Sequence, residues 1–344
     1  MEALVKTQKG KGFLEIRSVE DPVVGEKEVL LKVKAAGICG TDIHIMEDRF
    51  PNNPPVILGH EFSGEIVDVG IDVSEYKVGD RVVSEPHKGG CGTCRYCLTG
   101  EVEVCRNKKA IGYKIDGCFA SHISMPVTSL HRIPSNVTYE QAALTEPMAV
   151  AVKGVLERTK IEAEDFVMVS GCGPIGLLAA AAAKAEGARA VMITGTNGDE
   201  KLRLPAARAL GIDHVVNVQK DNALQMVQEL TDGAGADVVV EASGAEPAIR
   251  QAFDLVKIDG RICGLGLSGK EDINIPWDTS IIKAVRLVCS MSSNWTSWER
   301  ALSIMAGSKI DLDPLITADF ALHDWQKAFA LLQNLEAIKI LLKP

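Results

Sequence analysis

Apolar positions along the chain follow two different rhythms, and the change comes soon after residue 150. Before it, short β-branched runs such as VLLKVKAAG, GEIVDVG and DRVVSEP are broken at close intervals by Gly and Pro. That pattern predicts a β-rich unit. From about Thr159, apolar runs alternate with stretches that read as helices: DFVMVSGCGPIG leads into LLAAAAAKAEGA, and AVMITGT, HVVNV, ADVVVEASG and RICGLGL follow. Continuous apolar strands separated by helices predict an α/β arrangement with a parallel, doubly wound sheet covered on both faces. The end of the chain returns to short segments: LDPLITADF, an amphipathic helix in DWQKAFALLQNLEA, and IKILLKP as a last strand closing back on the first domain. The expected division is residues 1–150, 151–289 and 290–344. There is no internal repeat, and the Ala run 179–183 reads as the packing face of a helix.

Composition narrows the function more than the fold. The 344 residues suffice for two cores. A net charge of −9 lacks the basic footprint of a nucleic-acid binder. The opening MEALVKTQKGKGFLEIRSVED has no apolar signal core, and no later run has the length of a membrane span. Nine cysteines, an odd number, argue against a disulfide framework and for a reducing compartment. The expectation is a cytoplasmic protein that handles small molecules.

Four of those cysteines, Cys91, Cys94, Cys97 and Cys105, stand in GGCGTCRYCLTGEVEVC with the spacing C-x2-C-x2-C-x7-C. Four local thiolates on a Gly-rich loop make one closed tetrahedral site, for which zinc is the fitting ion. The lobe 91–105 is therefore read as a structural staple, with the reaction elsewhere.

In VMVSGCGPIGLLAA, Gly171, Gly173 and Gly176 form G-x-G-x-x-G between an apolar strand and a helix. In that context the motif predicts a dinucleotide site: the loop, with Pro174 and Ile175 opening the helix, sets the helix N-terminus against a pyrophosphate. The following strand, AVMIT, ends at Thr194 and Gly195 with no acid to bind the adenosine ribose. Thr196 and Asn197 come next, and Lys201 and Arg203 follow within about a turn. The missing carboxylate removes repulsion against a 2′-phosphate, so NADP is favoured over NAD; the alternative is that Asp199 reaches the ribose and the two cations are solvated.

AAGICGTDIH and VILGHEFSG place Cys39, His60 and Glu61 between the first strands and the cysteine lobe, and LTEPMAVAV adds Glu146 at the predicted domain junction. The upstream CGTD, GHE, the downstream EP, the four-cysteine lobe and G-x-G-x-x-G together resemble the zinc-dependent medium-chain dehydrogenases over essentially the whole chain. Glu61 after His60 is similar to the polyol and threonine dehydrogenase branch. The resemblance implies a GroES-like catalytic domain built from both chain ends and a Rossmann domain between, with a second zinc, two per chain in all, held by Cys39, His60 and Glu61. Glu146 would be a direct or water-mediated ligand. The chain runs through TEPMAV without the further thiolate that alcohol dehydrogenases place there. The resemblance also implies a homo-oligomer, dimer or tetramer.

Zinc would acidify a substrate hydroxyl so that hydride can leave its carbon for the nicotinamide. Thr41 is placed to accept the alcohol proton and His44 to pass it towards solvent; the plainer readings are a turn residue and a surface imidazole. The substrate class implied is a polyol or sugar-derived secondary alcohol, with phosphopolyols and L-threonine as alternatives. Phe50, Tyr113 and Trp295 are candidate pocket walls and Lys114 a candidate anion contact, and SSN from Ser292 stands where several polyol dehydrogenases carry an Arg-Tyr pair. The competing readings are a zinc-free quinone reductase of the same fold and a non-catalytic NADPH or zinc-redox sensor.

Overall fold

The computed structural model describes residues 1–307 and 310–344. The chain opens with eight strands, β1 (Glu2–Lys6), β2 (Leu14–Ser18), β3 (Glu28–Gly37), β4 (Val56–Ile57), β5 (Glu61–Val69), β6 (Arg81–Ser84), β7 (His122–Pro126) and β8 (Leu130–Arg132). Six more follow: β9 (Phe166–Ser170), β10 (Ala190–Gly195), β11 (His214–Asn217), β12 (Ala236–Glu241), β13 (Val256–Gly264) and β14 (Arg286–Cys289). The chain returns with β15 (Ile316–Ala321) and β16 (Lys339–Lys343).

Two compact units result. The first gathers Met1–Glu146, Ser293–Ala306 and Ile316–Pro344; the second comprises Pro147–Ser292 and Gly307–Leu315. In the first unit one sheet runs β15-β16-β3-β5-β6-β8 with β7 also on β3, and a smaller one runs β2-β1-β4. Strand β3 shows why they close on a core. Val29, Leu31 and Val33 alternate inward against Phe62, Ile66 and Phe119, while Lys32 on the other face is exposed. The returning segment supplies Leu322, Phe329, Ile340 and Leu342 to the same core, so the first domain is completed by residues from the far end of the chain.

The second unit is the expected parallel sheet, in the order β11-β10-β9-β12-β13-β14. Strand β9, FVMVS, is buried at all five positions because helices cover both faces. The helix Pro174–Glu186 lays its whole Ala179–Ala183 run into the core at 0% exposure, takes Pro at its start and ends on Gly187 in the left-handed region. No helix of the described residues is long and apolar enough to cross a membrane.

Candidate functional site

Cys91, Cys94, Cys97 and Cys105 converge as their spacing requires. The six-residue separation of Cys91 and Cys97 closes to 3.9 Å between sulfurs, and the Cys94–Cys97, Cys94–Cys105 and Cys91–Cys105 pairs stand at 3.6, 3.8 and 3.7 Å. Sulfurs about 2.3 Å from one tetrahedral ion lie about 3.8 Å apart, so the four thiols already form a zinc-sized cage. Amide groups of Thr93 and Cys94 point at Cys91 and draw its pKa down to about 6. A side chain at Gly90 would bring its Cβ to 2.7 Å from Cys97 Sγ and 3.2 Å from that of Cys105. The cage is thus built from a backbone that must pass close to the sulfurs.

A second group assembles within the same unit. The ligand atoms of Cys39, His60 and Glu61 lie within 4.8 Å of one another. Cys39 immediately precedes the helix Gly40–Met46, and His60 and Glu61 stand where the chain enters β5. Asp42, fully buried, joins the two segments: it accepts hydrogen bonds from the Cys39 amide at 2.9 Å and the Gly59 amide at 3.3 Å, and its carboxylate stands 3.8 Å from His60 Nδ1. Glu61 faces Gly37 across the β3–β5 ladder, and its Oε2 accepts from Lys339 Nζ on β16 at 2.5 Å.

Buried ionisable groups crowd this site. Asp42, Glu61, Glu146 and the Cys39 thiol gather around His60 with Lys339 as the buried base. Burial works against charging His60, but Asp42 and Cys39 outweigh it and lift the imidazole well above its ordinary range. Burial likewise opposes the Lys339 charge, and Glu61 and Cys39 overcome it. Glu61 Oε1 is buried with no hydrogen-bond partner among the described residues. A buried acceptor left without a hydrogen bond costs about 1–3 kcal/mol, so a thiol, an imidazole and a carboxylate converging here fit a bound zinc ion. Three protein donors would leave such an ion one position for substrate, as chemistry at a metal requires.

Glu146 lies outside this group of ligand atoms, although it is close enough to act on His60. Burial, assisted by Glu61 and opposed by His60, pushes Glu146 up to about 7. Thr41 places its hydroxyl 3.7 Å from Cys39 Sγ, and His44, a turn along the same helix, is exposed. Tyr113 is raised by burial and by Glu146, and its ring meets Phe50 edge-on at 5.2 Å, so this pair belongs beside the acid. Trp295 instead packs on His131 at 5.5 Å, and Lys114 donates to the Arg106 carbonyl at the surface. Sequence reasoning missed Asp42, Lys339 and Gly37. The D of TDIH and a lysine inside the apolar run IKILL were the available signals.

In the second unit the glycine motif has the tight backbone that a phosphate loop needs. Gly171 adopts φ +100°, open only to glycine at low strain, and a Cβ on Gly176 would meet the Gly171 carbonyl at 1.9 Å. Around Gly173 none of the described residues lies within 4 Å of the Cβ position, which leaves room for a pyrophosphate. At the end of β10, Asp199 is turned into its own loop: it accepts from the Thr196 amide and hydroxyl, both at 2.9 Å, and from Arg203 Nη1 at 3.2 Å. Asn197 is also engaged, accepting from Asn217 and donating its amide to Gln219, each at 2.8 Å. Arg203 is therefore held by Asp199, and Lys201 is the exposed cation of the pair.

Comparison with known proteins agrees with both halves. Residues 25–135 match the alcohol dehydrogenase GroES-like domain, and residues 174–307 match the zinc-binding dehydrogenase family. A sorbitol dehydrogenase of Halalkalibacterium halodurans is 42% identical over 100% of this chain and 99% of its own length. A D-arabitol-phosphate dehydrogenase of Enterococcus avium is 34% identical over 100% and 97%. A zinc-binding dehydrogenase structure from Sinorhizobium meliloti, bound to NADP, superposes with a TM-score of 0.91 at 29% identity, covering 100% of this chain and 99% of that one.

Proposed function

Because the chain belongs to the zinc-dependent medium-chain dehydrogenase family, we propose that it transfers a hydride between a secondary alcohol of a polyol and a nicotinamide cofactor, giving the ketone. The observation that carries this reading is the buried trio Cys39, His60 and Glu61 with an unpartnered carboxylate oxygen, in a chain that also carries a phosphate loop. A zinc ion held there would polarise the substrate hydroxyl and lower its pKa towards neutrality. Asp42 fixes the Cys39 and Gly59 segments so that the three donors converge without rearrangement. Thr41 takes the hydroxyl proton and the exposed His44 hands it to solvent. Glu146, outside the ligand group, is assigned a water-mediated role on the approach to the trio.

Two zinc ions per chain and a preference for NADP complete the proposal. The four-sulfur cage supports the first of these ions and the trio the second. For the cofactor, the support is that Asp199 is held by Thr196 and charge-paired with Arg203, while exposed Lys201 is placed to attract a 2′-phosphate. A carboxylate at position 195 is the obvious test but an unsuitable one: its Cβ would stand 2.5 Å from Cys172 Sγ and 2.9 Å from Leu204. Lys201→Glu keeps the fold and should move the ratio of kcat/KM values about tenfold or more towards NAD.

A phosphorylated polyol is the second reading, since Lys108 in the basic run RNKK lies close enough to Glu146 to lower its pKa. Reduction of cofactor by sorbitol, other sugar alcohols and their phosphates, followed by nicotinamide absorbance, tests both. Activity with none of them would refute the assignment, and restriction to a simple primary alcohol would overturn the polyol class. We also assign the chain a homo-oligomeric state, supported by the uncovered apolar edge at β14.

A further inference from the structure

Taking Cys39, His60 and Glu61 as the metal ligands assigned above, we propose that Lys339 is a positioning residue that sets how firmly the metal is held, by neutralising Glu61 through one carboxylate oxygen while leaving the other free. The pair is built across 278 residues of sequence. Lys339 Nζ donates to Glu61 Oε2 at 2.5 Å and to the Ile38 carbonyl at 3.1 Å, and the two side chains are 4% and 0% exposed. Strand β16 pairs with β3 and β3 with β5, which brings the lysine over the start of β5. Gly37, directly opposite Glu61, leaves the space: a Cβ there would stand 2.3 Å from Oε2. Among the described residues Glu61 Oε1 has no hydrogen-bond partner.

This arrangement has two consequences for the trio. With Oε2 committed to an ammonium, Glu61 offers a cation one oxygen, not two. When no metal is bound, Lys339 is the counter-charge that keeps a fully buried carboxylate from standing alone, so the ligands can stay assembled. A divalent ion bound by Glu61 would be repelled by the same buried ammonium, and burial leaves that repulsion poorly screened. Lys339 therefore preserves the empty site and weakens the filled one. A metal held here would be the easier to exchange, because Glu61 keeps Lys339 as its partner with or without the ion. The plain structural alternative is that Lys339 only ties β16 to the Ile38 carbonyl, and that role predicts no effect on metal affinity.

The test is metal affinity, read apart from turnover. The full-length protein, with its four-cysteine site kept zinc-loaded and checked by metal analysis, is stripped of the other metal and titrated with cobalt(II) against a competing chelator, following the thiolate-to-cobalt absorption contributed by Cys39. Lys339→Met should bind cobalt about tenfold or more tightly than the unmodified protein, and Lys339→Arg, which keeps the charge, should match the unmodified protein. Unchanged or weaker binding by Lys339→Met overturns the proposal. Should that variant fail to fold, Glu61→Gln and the charge-balanced Glu61→Gln/Lys339→Met pair give the same answer: the single variant should bind cobalt poorly, and adding Lys339→Met should restore about tenfold of the loss. No restoration overturns it. Absence of any cobalt band in the unmodified protein defeats the ligand assignment itself, an outcome distinct from equal affinities across the Lys339 variants.

Discussion

Single glycines of the phosphate loop separate folding from binding. Gly173 has nothing within 4 Å of where a Cβ would lie, whereas the Cβ of an alanine at 176 would be 1.9 Å from the Gly171 carbonyl. Gly173→Ala should therefore keep the Tm of the unmodified protein while raising KM for the cofactor about tenfold or more, since the new methyl occupies the space a pyrophosphate needs. Gly176→Ala cannot relieve a backbone collision by a rotamer change and should cost about 3 kcal/mol or more, seen as a lower urea midpoint before any cofactor is added. Equal stability in the two variants would show that the loop does not pack as described. Gly90→Ala belongs with these: its Cβ would press on Cys97 and Cys105, so the variant should lose one zinc by metal analysis and retain the other.

Pairings between elements mark where the sequence could be read and where it could not. The apolar runs of β9, β10, β12 and β13 and the motif after β9 are local, so periodicity and spacing found them. Strand β14 was not legible: of its four residues, Arg286–Cys289, only Leu-Val-Cys is apolar, a run too short to mark a strand. The Cys39, His60 and Glu61 trio was legible through resemblance, but Asp42 and Lys339 owe their roles to contacts made by folding, the second across nearly the whole chain. The same holds for a cluster that ties β6 and β8 to the helix Trp295–Ala306. Glu85, just past β6, stands 3.3 Å from His87 and 3.5 Å from His131, and His131 meets Glu299 at 2.5 Å and stacks on buried Trp298 at 5.4 Å. Burial raises the Glu85 pKa, but the two imidazoles outweigh it and hold the carboxyl below its ordinary 4.5. A depressed carboxylate pKa stabilises the fold above the unfolded value and loses that contribution as pH falls through the folded one. Glu85→Gln should thus cost about 1–3 kcal/mol at neutral pH, with the deficit shrinking below pH 4.5, measured by urea unfolding across pH. A deficit independent of pH would assign Glu85 a packing role only.

Across the whole molecule, the remaining physical problem is the outer edge of the parallel sheet. β14 ends the strand order β11-β10-β9-β12-β13-β14, so among the described residues one side of it carries unpaired backbone amides and carbonyls. Sheet edges are ordinarily protected by charge, by Pro or by covering elements. Here Leu287 in the edge strand is 51% exposed, and the helix leading into it exposes Trp277, Ile281 and Ile282, with Met291 just beyond. An apolar patch beside an open edge is costly in water and invites association. A second copy of the same chain can satisfy both needs at once, since two such strands pair antiparallel about a twofold axis and bury identical patches against each other. A stable contact of that kind needs about 800 Å² from each partner, which several large exposed side chains at one edge can supply. Light scattering of the purified protein should therefore give a multiple of 36.9 kDa. Leu287→Lys, which places a charge on the edge strand without touching either metal group or the phosphate loop, should shift it towards the monomer as concentration falls. A protein that is monomeric at micromolar concentration without substitution would show that this edge is tolerated in water and is not an interface.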